Sequence, residues 1–266
     1  MPSSTTHKNQ YSDAVIASIE MVYGEGFLSP GGEPAVARIV GGIDLTGCDV
    51  LEVGCGLGGV LVALINNHGV RHVHGIDLEA AVLERATKRV EAAGIAGQVK
   101  LEQTRPGPFP VPDNSFDAVM CRAMLCHIED KPSFYQEIIR AIRPGGHLIG
   151  SDWYLGAGAQ QSQDYLMWHD SMKSSGLDFY FAEPEETIAA FENAGFDNIV
   201  LKDDTDFLKE ESNGHLEKII GPSREALIGA LSIEGHQKII ERTKYRIAAL
   251  SCGALMHMRF QAQKPH

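Results

Sequence analysis

The sequence predicts an α/β protein built on one open, mostly parallel sheet with helices on both faces. Three observations predict it. Short apolar runs of strand length alternate with helix-length amphipathic segments from Asp49 to Trp153. A glycine-rich stretch, VLEVGCGLGG from Val50 to Gly59, closes the first run. An acid, Asp77, ends the second run about twenty residues further on.

Taken in order, Val15, Ile16, Ile19 and Val22 fall at helical spacing and predict a helix from Tyr11 to Tyr23. GEGFLSPGG, Gly24 to Gly32, reads as a loop, and Pro34 to Val40 as a short helix. Strands follow at Asp49–Cys55, His72–Asp77, Val99–Thr104 and Phe116–Arg122. Helices at Gly59–Asn67, Glu79–Ala93 and Lys131–Ile142 connect them, and a Pro-Gly-Gly turn opens a fifth strand, Gly146–Trp153. Beyond it the pattern predicts helices at Gln160–Ser175 and Glu183–Ala194, then a strand at Asn198–Asp203. Glu210 to Leu250 reads as mostly helical with breaks near Gly221 and Gly235, and Leu255–Ala262 as a last strand.

Bulk properties narrow the function. A net charge of −12 repels phosphate backbones and anionic bilayers, so neither nucleic acid nor membrane is an expected partner. The five cysteines, Cys48, Cys55, Cys121, Cys126 and Cys252, form no C-x-x-C pair, which indicates neither a zinc site nor a disulfide framework. His72 and His74 share a strand face but lack a third ligand, so no metal is expected. Met1 to Gln10 has no apolar signal core, and no stretch approaches the roughly eighteen apolar residues of a membrane span. The expectation is a soluble, cytoplasmic protein with a small-molecule substrate, its oligomeric state open.

The chemistry concentrates at the strand ends. Gly54 and Gly56, after Glu52, let a ligand approach the backbone, and Asp77 is placed to accept hydrogen bonds from ribose hydroxyls. These two features suit an adenosine cofactor or a nicotinamide one. DNSFDAVMCRAMLCHIED, Asp113 to Asp130, reads as a strand with a polar loop; IRPGGHLIGSD, Ile142 to Asp152, reads as a turn and the next strand.

The order of VLEVGCGLGG, GIDLE, DNSFDAV and RPGGHLI resembles class I S-adenosylmethionine-dependent methyltransferases. NQYSD (Asn9–Asp13), VYGEGFLSPGG (Val22–Gly32) and CHIEDKPSFY (Cys126–Tyr135) are similar to the phosphoethanolamine N-methyltransferase family. The resemblance implies a Rossmann-like class I methyltransferase sheet of about seven strands, the last antiparallel. It also implies an N-terminal helical lid within residues 1–40, a methyltransferase domain over 41–266, and a cap insertion at about 154–182. It assigns a catalytic pair, Tyr11 and His127, and S-adenosyl-L-methionine contacts at Ser29, Glu52, Gly54, Gly56, Asp77, Leu78 and Arg122. The expected reaction is N-methylation of a small amine; methylation of oxygen, sulfur or carbon on a natural product is the alternative.

Three departures qualify the resemblance. Ala123 stands where the family carries an aspartate near the substrate amine. Arg105 replaces the acid that follows the third strand near adenine, and Thr104 and Arg105 are the cofactor contacts expected there. The family's phosphate-binding residues are poorly matched across Trp153 to Phe181, leaving Lys244 or Arg246 as the basic residue for an anionic group. Trp153, Tyr165, Trp168 and Tyr180, with Arg246, are the candidate substrate contacts. The aromatics have two readings, enclosure of an apolar or methylated-ammonium substrate and the packing of a cap.

Overall fold

The strands from Asp49 to Trp153 read as nearly unbroken apolar runs because both faces of their sheet are covered. In the computed structural model, which describes residues 12–173 and 178–266, β1 (Asp49–Val53) sends Val50 into one apolar layer and Leu51 into the other. Strands β2 (His72–Asp77), β3 (Val99–Gln103), β4 (Phe116–Arg122) and β5 (Ile142–Leu155) run parallel to it. With β6 (Asp197–Asp203) and β7 (Leu255–Gln263) they form a seven-stranded sheet in the order β3-β2-β1-β4-β5-β7-β6. Strand β7 runs opposite to the other six, antiparallel to both β5 and β6, as expected for the last strand. The chain leaves β1 towards β2 on one side, while β4 lies on the other. That reversal opens a crevice at the carboxyl ends of β1 and β4.

Helices α1 (Asp13–Tyr23), α2 (Gly32–Val40), α3 (Gly59–His68) and α4 (Ala80–Ala92) precede β3. The second, third and fourth bury one sheet face through Val36, Ile39, Leu61, Leu64 and Leu83. Helices α5 (Lys131–Ala141) and α7 (Pro184–Ala194) bury the other, where the rings of Tyr135, Phe191 and Phe260 meet edge to face. Helices α6 (Gln163–Lys173), α8 (Thr205–Ile220) and α9 (Arg224–Ser251) complete the fold. Helix α1 bridges two regions: Ile16 packs with Leu57 and Val82, and Val22 packs with Ile219 and Leu227. Among the described residues no helix is long and apolar enough to cross a membrane.

Among the boundaries that differ from the sequence reading, two have a visible cause. Strand β5 starts at Ile142, ahead of the Pro-Gly-Gly turn, with a register shift against β4 between Phe116 and Ala118. Gly145 donates to the Lys264 carbonyl and Lys264 N–H returns a bond to Gly146, so a partner distant in sequence recruits the turn into the sheet. The break expected near Gly235 falls at Ser232, with φ 75°. Its hydroxyl accepts from Gly235 N–H at 3.2 Å, capping the helix that resumes there.

Candidate active site

The glycine stretch folds as it does because Asp77 holds it. The Asp77 carboxylate accepts from the N–H of Gly56 at 2.8 Å and of Glu79 at 3.0 Å, tying the ends of β1 and β2 together. Gly54 has φ +76°, and a Cβ there would come within 2.8 Å of Met124. A larger residue there would have to displace the Met124 side chain and adopt a left-handed backbone that favours glycine. Glu52 is 2% exposed, and its Oε2 has no hydrogen-bond partner among the described residues. Burial drives its carboxyl well above the usual range; Arg122 opposes this and Asp77 adds to it. Burial likewise raises Asp77, against its backbone hydrogen bonds. A buried, unsatisfied acid beside a cradle of glycines fits a group carrying positive charge and hydroxyls, which S-adenosylmethionine does.

The Gly24–Gly32 stretch closes over this cradle. Gly26 accepts from Gly59 N–H through its carbonyl at 3.1 Å, and a Cβ on Gly59 would meet that oxygen at 2.7 Å. Arg89 of α4 donates to the Leu57 carbonyl at 2.9 Å and pairs with Glu20 and Glu25 at 2.6 and 2.8 Å. Glu20 also accepts from Gly26 N–H at 2.7 Å. Arg122 donates to the carbonyls of Pro30 at 2.6 Å and Ser29 at 3.4 Å, over the Phe27 ring. Burial pulls Arg122 down to about 10 despite Glu52. Ser29, Glu52, Gly54, Gly56, Asp77 and Arg122 therefore sit in one connected region. Leu78, 50% exposed, lies at its rim beside Asp77. Thr104 donates its N–H to the Asp77 carbonyl, and Arg105 next to it is exposed.

His127 closes a short 3₁₀ turn, Leu125–His127, just past the end of β4. Asp152 holds that turn, with Oδ2 accepting from the N–H of Leu125 at 2.6 Å and Met124 at 2.8 Å. Its Oδ1 accepts from Trp153 N–H at 2.8 Å. Asp152 is buried, and burial raises its carboxyl against these backbone donors. The His127 ring has Nδ1 2.9 Å from the Asp178 carbonyl and lies 4.8 Å from the Phe179 ring. A carbonyl only accepts, so Nδ1 donates here, and the neutral tautomer that makes this bond presents Nε2 as its acceptor. Lys131 donates to the Ile128 and Tyr180 carbonyls, and Tyr180 donates its N–H to Cys126, fastening 178–182 across the turn.

The other predicted positions divide. Trp153, Trp168 and Phe179 continue a series of rings from His127, at 6.3 Å between Phe179 and Trp168 and 5.8 Å between Trp168 and Trp153. Tyr165 and Trp168 are buried against Ala249, Leu250 and Leu255. Arg246 of α9 donates to Tyr23 Oη of α1 at 2.8 Å and to Ser212 Oγ of α8 at 3.0 Å, and is buried there. Tyr11 lies outside the described residues. Sequence reasoning missed Asp152, Glu20 and Arg89. Asp152 stood in the motif IRPGGHLIGSD, where an acid ending a strand of apolar residues was the available signal.

A family profile described as a methyltransferase domain matches residues 51–150, which run from the glycine cradle to the end of the β4–β5 pair. The chain carries a class I methyltransferase domain. The chain resembles phosphoethanolamine N-methyltransferase 3 of Arabidopsis thaliana, 30% identical over 92% of this chain and 48% of that one. Phosphoethanolamine N-methyltransferase 2 of Caenorhabditis elegans is 32% identical over 79% of this chain and 48% of that one. The chain thus spans about half the length of these curated relatives. Among solved structures it is similar to Haemonchus contortus phosphoethanolamine N-methyltransferase 2 in complex with phosphomonomethylethanolamine and S-adenosylhomocysteine. That likeness has a TM-score of 0.87 and 26% identity, over 97% of this chain and 59% of that one.

Proposed function

We propose that this methyltransferase moves the methyl group of S-adenosylmethionine to the nitrogen of a small amine. The observation that carries the reading is the contact of His127 Nδ1 with the Asp178 carbonyl at 2.9 Å, which orients the ring so that Nε2 of its neutral tautomer is the free acceptor. An amine attacks a sulfonium methyl only as its free base, so a positioned imidazole that takes its proton is what the reaction requires. The cofactor supplies the electrophilic methyl; the protein positions the nucleophile and excludes water.

In this reading Glu52 and Asp77 hold the cationic and hydroxyl groups of the cofactor. Gly54 and Gly56 admit it, Leu78, Thr104 and Arg105 border its base, and Ser29 and Arg122 close the far side. Residues 1–40 serve as a lid, and Glu20 of α1 fastens its described part to Arg89 of α4. The segment 154–182 forms a cap, with Trp153, Trp168, Tyr165 and Tyr180 on the acceptor side and Tyr11 completing the pair with His127. Arg246 has its Nη2 buried without a partner and no ion pair with a carboxylate among the described residues, which supports an anionic group on the acceptor. Net charge and the five free thiols support a cytoplasmic enzyme without nucleic-acid partners.

A second reading is favoured by Ala123. At the end of β4 this chain offers a methyl group where an acid would draw a cationic head group, so a hydroxyl acceptor is accommodated as well. Labelled S-adenosylmethionine, offered with ethanolamine, phosphoethanolamine, amino acids, aromatic amines and phenols and read by mass spectrometry, separates the two. Methylated amines that disappear with His127→Ala support the first reading. Label confined to phenols or carboxylates replaces it with the second.

A further inference from the structure

The sheet register places four polar side chains along one face at the carboxyl ends of the parallel strands. Glu52 lies on β1 beside Met120, Arg122 follows on the same face of β4, and Ser151 of β5 pairs with Arg122. Trp153, two residues on, pairs with His257 of β7. Glu52 and Arg122 are absorbed by the cofactor region. Ser151 and His257 are not.

Both are buried, 1% and 5% exposed, and Ser151 Oγ and His257 Nδ1 have no hydrogen-bond partner among the described residues. The His257 backbone is satisfied: its N–H donates to Thr205 Oγ1, and its carbonyl accepts from Asp204 N–H. The side chain alone is left over. Its ring packs edge-on against Trp153 at 5.3 Å, and Trp153 continues to Trp168, Phe179 and His127. Ring contacts thus connect His257 to the turn that carries the proposed base. An unmet buried polar atom costs about 1–3 kcal/mol, which a fold retains where a ligand meets it.

The surroundings choose the ligand's chemistry. Asp204 is bound to Arg38 and faces Arg259, and Arg122 is spent on the Ser29 and Pro30 carbonyls. Burial, with Arg122 and Arg38 nearby, keeps the imidazole neutral; Asp203 and Asp204 only partly offset this. A neutral ring and a hydroxyl among paired charges suit an uncharged group that both donates and accepts.

We infer that Ser151 and His257 form a subsite for a hydroxyl of the methyl acceptor, set apart from the nitrogen that His127 serves. The inference deepens the methyl-transfer reading, and its test is independent of turnover. Imidazole ¹⁵N resonances of the full chain are followed while ethanolamine, ethylamine or phosphoethanolamine is added in the presence of S-adenosylhomocysteine. The His257 signal is assigned by its loss in His257→Gln or, should that variant not fold, by its proximity to the Trp153 ring. Ethanolamine shifts His257 and ethylamine leaves it in place; Ser151→Ala weakens the ethanolamine response about five- to tenfold, as expected for one neutral hydrogen bond. A His257 signal unmoved by all three, or moved equally by ethylamine, overturns the subsite and leaves only a buried, water-satisfied histidine. A response to phosphoethanolamine alone overturns the neutral-group assignment. Loss of methyl transfer with the ethanolamine response intact sinks the catalytic reading and not the subsite.

Discussion

The Glu20 carboxylate lies 2.6 Å from the Arg89 guanidinium and accepts from the Gly26 N–H with the same oxygen. One acid on α1 thus fixes both the glycine-rich stretch and the helix beneath the cofactor cradle. Both partners are about one-fifth exposed, so the pair is only partly screened. Glu20→Gln should raise the Kd for S-adenosylmethionine about threefold, equivalent to roughly 0.7 kcal/mol, with little change in the acceptor KM. Calorimetric titration beside steady-state kinetics checks the split.

Asp152 positions the turn that carries His127. Asp152→Asn keeps one acceptor oxygen and turns an amide donor towards backbone donors, leaving buried N–H groups unmet at a cost of about 1–3 kcal/mol. The expected result is at least a tenfold fall in kcat and a lower Tm, with cofactor affinity within about twofold of wild type. Unchanged kcat would detach Asp152 from the catalytic turn.

Proton linkage should mark Glu52. Its carboxyl is held well above the usual range by burial, and a cationic ligand favours its ionised form. Binding S-adenosylmethionine therefore releases a proton, and affinity rises with pH until the free protein itself ionises. Titrations in two buffers of different ionisation enthalpy measure the release directly. S-adenosylhomocysteine, without the sulfonium, should release less, and Glu52→Gln should remove the pH dependence.

Stability should reflect His215. Burial lowers it to about 3, helped by Arg246 and Lys218. The unfolded histidine, near 6.5, then binds a proton that the folded one refuses, so the neutral form's stability is fully present above about pH 6.5. It is lost as pH falls towards 3, at up to about 1.4 kcal/mol per pH unit. Raised acids such as Glu52 and Asp77 act in the opposite direction. The informative quantity is thus the gap between wild type and His215→Gln: the variant should gain relative stability from pH 7 to pH 4 in urea unfolding.

Most of the frame was legible because it rests on local signals. Strand runs, helical spacing and glycines placed β1 to β4 within a residue or two of the observed ends, and VLEVGCGLGG with Asp77 located the crevice. What escaped depends on partners distant in sequence. Gly145 joins β5 only because Lys264 meets it, and Glu20 matters only because Arg89 of α4 reaches back to it. Arg246 was read as a basic residue for an anionic group of the acceptor; that its partners in the fold are Tyr23 and Ser212 is something nothing in its own helix announces. Asp152 could be read as an acid after an apolar strand, but not as the acceptor that holds the chain after β4.

Ala123 carries φ +50°, in the left-handed region that alanine enters at a cost and that asparagine and aspartate tolerate better. Its N–H is already committed to the Ser151 carbonyl, so the backbone there is fixed whatever side chain it bears. Ala123→Asp would consequently introduce a carboxylate at the end of β4 while relieving local strain. The scaffold thus tolerates either a neutral or a charged side chain at this point, and one residue sets the charge presented at the end of β4 without any movement of the backbone.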